Sequence, residues 1–318
     1  MAVRYFFALF AALLFQTVSA WAQFGLGKPK DVAIVKSLPL LVILLDEDPK
    51  ELERLAGKPT ELADYRAYIT SHNAQLKELV PKIWQFSPAV EFKREADLPA
   101  LRKAKGIQQS VFRQIDFRLS QQVAYRSAGV MTSGFNSYTV KSKTMSGLAF
   151  ELVGNGEERS VWRMPIVGGA AYASDLIFSL RSGQRYFQAS AGGDDRNWPM
   201  KITQNGPRLQ TKTLLIEEAD LAVKLTTDDL KRAYPFPYQL ASRAIIEAAA
   251  ASSDSRYAYL RLLQASDDLM VPMVVDVASS ELLGFSMHSK VEKKRDGQKG
   301  TVITKEDFQD LAAAARGK

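Results

Sequence analysis

The sequence predicts an α+β protein: two strand–helix–strand modules flanking a strand-rich middle. Three observations carry this. Leu38-Pro-Leu-Leu-Val-Ile-Leu-Leu45 is an apolar run of strand length, as expected of a strand buried on both faces. Leu62, Tyr65, Ile69, His72, Leu76, Leu79 and Ile83 recur at three- and four-residue steps, which places them on one stripe of a long helix. Val111 to Leu119, Tyr138–Lys141, Leu148–Val153 and Val161–Ile166 are then strand-like in composition, the last two joined by Gly154-Asn-Gly156 as a hairpin.

The remaining elements follow in order. Asp48 caps a short helix with Pro49 at its first position, and Glu51 is placed to complete a capping box. Gly57 ends it and Thr60 starts the long helix, which Pro81 should kink or end. Val90-Glu-Phe92 is a short strand, and Asp97 to Ala104 a short helix closed by Gly106. Ser127 to Ser137 reads as a loop. Ser174 to Ala189 fits both a helix capped by Ser174 and a hairpin turning at Ser182-Gly183; the helix is the better fit. Gly192 to Arg208 is loop-rich and divides the modules. Beyond it come a strand at Thr213–Ile216, a helix from Thr227, a strand into Ala241 and a helix capped by Ser242. Strands follow at Tyr257–Leu263, Met270–Val277 and Leu282–His288, then a tight turn at Asp296-Gly297 and a helix from Thr304 to Gly317. The two ends share this plan with little residue identity. A general α/β habit explains that better than duplication.

The N-terminus reads as an export signal over residues 1–22. Arg4 is the only charge before Lys28, Tyr5 to Phe15 is apolar, and Ala20-Trp21-Ala22 offers small residues for a cut before Gln23. The apolar run is short for a bilayer span, and Gln16, Thr17 and Ser19 interrupt it. The expected organisation is a signal peptide at 1–22, an N-terminal module at 23–205 and a C-terminal module at 206–318. The expected location is the periplasm or the extracellular space. No later segment reads as a transmembrane helix. The chain has no cysteine, hence no disulfide and no thiolate metal site. Its net charge of +7 comes from interspersed residues without a basic, aromatic-rich stripe, so no nucleic-acid partner is expected.

Leu214-Leu-Ile216, Leu225-Thr-Thr-Asp-Asp229, Tyr234-Pro-Phe-Pro-Tyr238, Ser242 and Tyr257-Ala-Tyr259 resemble a group of uncharacterised exported bacterial proteins. So does the opening Asp46-Glu-Asp-Pro49 with its long helix. The resemblance touches about half the chain. It implies export and a mixed α/β fold, and it carries no activity.

For chemistry, Asp46 and Asp48 at the end of an apolar strand are the sharpest candidates. Two aspartates one apart there can hold Mg²⁺ while one attacks phosphorus, as in haloacid-dehalogenase-like phosphatases, with Asp194-Asp195 as a second pair. Pro49-Lys50 departs from that pattern, and the ordinary reading makes Asp48 a helix cap. His72 on the apolar stripe reads as a satisfied core residue, and His288 ends a strand. Two histidines without cysteine make no zinc site, and no metal or other cofactor is expected. No Gly-x-Ser-x-Gly elbow or phosphate-binding glycine loop occurs. Two surface features could bind. Lys293, Lys294 and Arg295 lie at the Asp296-Gly297 turn, and Tyr234, Phe236 and Tyr238 could stack on a sugar or peptide. The solvated hairpin tip and the core plug are the plainer readings. The expected function is an exported binding or scaffold protein of the cell envelope, with an envelope protein or glycan as partner. The alternative is a metal-dependent phosphohydrolase.

Overall fold

The computed structural model describes residues 25–124, 137–193, 202–264, 270–286, 288 and 290–317. The expected export signal over residues 1–22 therefore lies outside the described residues, as does Asp194-Asp195. The fold is α+β, as expected, with two five-stranded sheets.

The first sheet has the order β2-β1-β3-β4-β5: β1 (Leu40–Leu44), β2 (Val90–Arg94), β3 (Gln109–Ala124), β4 (Ser137–Gly154) and β5 (Glu157–Pro165). β1 runs parallel to β2 and β3, and β3, β4 and β5 form an antiparallel meander. The second sheet has the order β10-β9-β8-β6-β7: β6 (Thr213–Glu217), β7 (Tyr238–Ala241), β8 (Tyr257–Gln264), β9 (Met270–Asp276) and β10 (Leu282–Phe285). β6 is parallel to β7 and β8, and β8, β9 and β10 alternate in direction. Read from β2 and from β7, the two sheets have one topology. The plan shared by the two ends of the sequence is thus a complete five-strand unit used twice.

Eight α-helices of more than one turn occur among the described residues. They are α1 (Pro29–Ser37), α2 (Pro49–Leu55), α3 (Pro59–Ile83), α4 (Leu98–Lys103), α5 (Ala173–Ala191), α6 (Thr227–Ala233), α7 (Arg243–Ser252) and α8 (Lys305–Ala315), beside a four-residue turn at Ile202–Asn205. A hairpin of β11 (Lys290–Lys293) and β12 (Lys299–Val302) precedes α8.

Helix α5 lies between the sheets. Its Leu176, Ile177, Phe178, Leu180 and Phe187 share one apolar cluster with Leu40, Phe112, Phe150 and Trp162 of the first unit. Leu215, Tyr259, Met273 and Val275 of the second unit belong to the same cluster. Each such fully buried aliphatic or aromatic side chain stabilises the fold by roughly 1.5–3 kcal/mol. Gly183 permits the close approach: a Cβ there would sit 2.5 Å from the Phe150 ring. Helix α3 packs beside α5 on the first sheet, and α7 meets α5 from the second. The outer face of the second sheet is covered by α6 and α8 through Leu230, Phe308 and Leu311. Strand β1 is buried on both faces, as its sequence predicted. Leu40 and Val42 enter the central cluster, while Leu41 and Ile43 face Leu98 of α4.

Several local expectations change. Pro81 lies inside α3, which continues to Ile83. In the last turn a proline forfeits a single backbone bond, so the helix tolerates it there. Tyr138–Lys141 and Leu148–Val153 are one strand rather than two. Ser142, Lys143, Ser146 and Gly147 weaken the sequence signal, but β4 continues through them, paired with β3 up to Lys141 and again from Thr144, with a register shift between. The loop expected from Ser127 falls mostly outside the described residues. Tyr172 rather than Ser174 is the N-cap of α5, its backbone N–H donating to Asp175 at 3.0 Å. Strand β10 ends at Phe285, short of His288.

Candidate functional site

In both units the parallel strands reverse their winding direction, in the orders β2-β1-β3 and β7-β6-β8. Open α/β sheets place ligands in the crevice beyond the carboxyl ends of strands at such a switch point. Each first strand here runs into carboxylates at that end: Asp46-Glu47-Asp48 after β1, and Glu217-Glu218 with Asp220 at the end of β6.

At the first switch point every carboxylate has a partner. Asp46 accepts from Arg94 Nε and Nη2 at 3.0 and 2.8 Å and from the Ala96 N–H at 3.1 Å. Burial works against its charge, but the Arg94 and Ala96 hydrogen bonds prevail and hold its carboxyl below the usual range. Glu47 pairs with Arg66 at 3.1 Å. Asp48 caps α2, accepting from the Lys50 N–H at 2.9 Å. Glu51 does not close a capping box; it takes Arg54 at 2.7 Å. No group of three metal-ligating side chains occurs among the described residues. The cap gives a direct test. Asp48→Asn should unfold at the wild-type temperature, since asparagine caps about as well, and Asp48→Ala should lose about 0.5–2 kcal/mol. A capping role predicts no Mg²⁺-dependent shift in any of the three. A metal role predicts a wild-type stabilisation by millimolar Mg²⁺ that the asparagine variant lacks.

The second switch point is where the units meet, and several buried or half-buried charges lie beside it. Glu217 pairs with Arg243 at the start of α7; burial pushes its carboxyl up, against the pull of Arg243. Arg243 also lies over the half-exposed Tyr172 ring, 4.8 Å from its centroid. Glu247 of α7 accepts from the Ser174 N–H at 2.6 Å and its hydroxyl at 2.7 Å, and burial raises its carboxyl as well. Asp175 pairs with Arg261 of β8 at 2.6 Å, both side chains nearly excluded from water. These contacts tie the first turn of α5 to the second sheet. The sequence reading missed them all. The available signal was Arg261, a lone charge inside an otherwise apolar strand, which requires a partner.

The basic turn docks against the same acidic end. Lys294 meets Asp220 at 2.7 Å, and Arg295 meets Glu218 at 2.9 Å while also donating to the Leu225 carbonyl. Lys293 stays exposed. It lines an open concavity of about 400 Å³ with Val223, Lys224 and Glu292. Tyr234 is fully buried against Phe236 and Phe308, with ring centroids at 5.5 and 6.4 Å. Phe236 is half-buried under Arg316, and Tyr238 begins β7. His288 pairs with Asp310 at 3.3 Å.

His72 departs from its expectation in one respect. It is buried on the helix stripe as predicted, 1 % exposed. Yet neither ring nitrogen has a hydrogen-bond partner among the described residues, so it is not a satisfied core histidine. Burial lowers its pKa to about 4.

Comparison with family profiles, curated proteins and solved structures gives no match for this chain.

Proposed function

We propose that this chain is an exported binding or scaffold protein of the cell envelope. One observation supports it: the first unit carries a β-ribbon that the second does without. The β3–β4 pairing runs from Gln109↔Val153 to Ala124↔Ser137. Strand β1 flanks β3 only over Ser110–Phe112, and β5 flanks β4 only over Gly147–Gly154. Beyond those positions the ribbon has no third strand on either side among the described residues. In the second unit the equivalent strands, β8 and β9, span 8 and 7 residues, against 16 and 18 for β3 and β4. The unit therefore folds without the extension, and two unflanked strand edges are the feature through which sheet proteins take partners.

The phosphohydrolase alternative requires Asp46 to leave Arg94 and Asp48 to leave the Lys50 amide before a metal can be held. The binding reading requires neither.

The test is fractionation of the natively expressed protein, with and without the ribbon. Residues 121–140 are replaced by an Asn-Gly turn joining Ser120 to Lys141 in the variant. Wild-type chain should begin at Gln23, lie outside the cytoplasm and remain with the envelope. The shortened chain should be exported and fold, then wash free. A chain retaining Met1 in the cytosol, or equal envelope retention of the two forms, would refute the reading.

A further inference from the structure

We infer that β2 pairs with β2 of a second copy of this chain, antiparallel and two-fold about Phe92. This stands apart from the binding reading above, which concerns the β3–β4 ribbon. β2 ends the first sheet, and no strand lies beside its outer edge among the described residues. Two bonds fix the direction of its backbone groups. The Leu40 N–H donates to the Ala89 carbonyl at 2.9 Å, so Ala89, Glu91 and Lys93 turn their backbone groups to β1. Val90, Phe92 and Arg94 turn theirs outward, where the Arg94 N–H donates to Asp97 at 3.0 Å. The outward N–H and carbonyl groups of Val90 and Phe92 have no hydrogen bond among the described residues. An open row of this kind is a template for another strand. The opposite edge of the same sheet is closed, the Leu26 and Gly27 N–H groups donating to the Val161 carbonyl of β5.

Charge names the occupant. β2 reads Val90-Glu-Phe-Lys-Arg94. Antiparallel pairing about Phe92 sets Glu91 opposite Lys93 of the copy, and Lys93 opposite its Glu91. Phe92 falls opposite Phe92, and since its backbone groups point outward, the two exchange both hydrogen bonds. Glu91 and Lys93 then meet at the non-hydrogen-bonded positions, where facing side chains come closest. Both stand in the row of Leu41 and Ile43, on the sheet face turned away from α5, with side chains 49 % and 40 % exposed. Within one chain they lie 3.5 Å apart, an exposed pair of little worth and free to exchange partners. Arg94, the remaining charge of the strand, is held by Asp46. Pairing about Glu91 would use the same outward groups but would oppose Glu91 to Glu91, so charge selects the register about Phe92. Proteins blunt open edges with proline, bulges or charge. β2 has no proline and pairs with β1 without a break, and its two unclaimed charges are self-complementary.

The test is analytical ultracentrifugation of the natively expressed, purified protein over a concentration series. Wild type should dimerise reversibly and be mostly paired at about 100 µM. Glu91→Lys and Lys93→Glu change exposed side chains, so each should melt at the wild-type temperature when dilute. Each should dimerise about tenfold or more weakly, because it sets like charges opposite one another at both cross-strand places. An equimolar mixture of the two variants should pair at least as tightly as wild type, since two lysines then face two glutamates. The double variant Glu91→Lys, Lys93→Glu should dimerise like wild type. A wild type that stays monomeric at about 100 µM, a dimer indifferent to either single variant, or a mixture no tighter than its components would overturn the inference.

Discussion

Asp175→Ala is expected to destabilise the protein by about 3–5 kcal/mol, because it strands a buried guanidinium. The Arg261 side chain is 5 % exposed and the Asp175 side chain 12 %, and they meet at 2.6 Å. Removing the carboxylate leaves Arg261 charged between α5 and β8 with no route to water. The same variant loses the cap on the Tyr172 N–H, and hence the first turn of the helix that joins the units. The pair is not thereby a large net contribution, since a buried ion pair is costly to assemble. The double variant Asp175→Leu, Arg261→Met should accordingly recover most of the loss. Urea unfolding of the two single variants and the double variant measures this. Additive losses in the double variant would show that the two side chains do not act as a pair.

His72→Leu is expected to remove an acid-sensitive part of the stability. The folded-state pKa of about 4 lies below the unfolded value near 6.5. Between those values the unfolded chain binds the proton and the folded chain does not, so stability falls as pH falls. The full contribution is present above about pH 6.5 and is lost on the way to pH 4. At pH 5 the wild type should have lost ~2 kcal/mol relative to pH 7.5 through this residue, and at pH 4 ~3 kcal/mol. The leucine variant should lack that component. At pH 7.5 it should be as stable as wild type or more so, since two unpartnered buried nitrogens are replaced by an apolar group of similar size. Denaturant midpoints of both proteins from pH 4 to 7.5 provide the comparison. Parallel pH profiles would mean that the imidazole reaches water or a partner.

What the sequence determined by itself was local. Asp48 before Pro49, Thr304 before Asp307, the glycines at 154, 156 and 297 and the stripe through Leu76 each carry their signal within a few residues, and the structure forms them where expected. Strand β1 was legible as doubly buried because its whole run is apolar. The tertiary structure alone decided the rest. It joined β4 across Ser142–Gly147, because β3 pairs with Thr144–Gly147 and, past a register shift, again with Lys141, supplying partners that propensity does not. For Ser174–Ala189, where the sequence favoured a helix but fitted a hairpin too, burial from both sides settled the helix. It also brought Glu217 to Arg243, Glu247 to Ser174 and Asp175 to Arg261, across gaps no spacing rule spans. Helix periods and caps are properties of neighbouring residues. Strand partners and buried ion pairs are set by which surfaces meet once the two units close on α5.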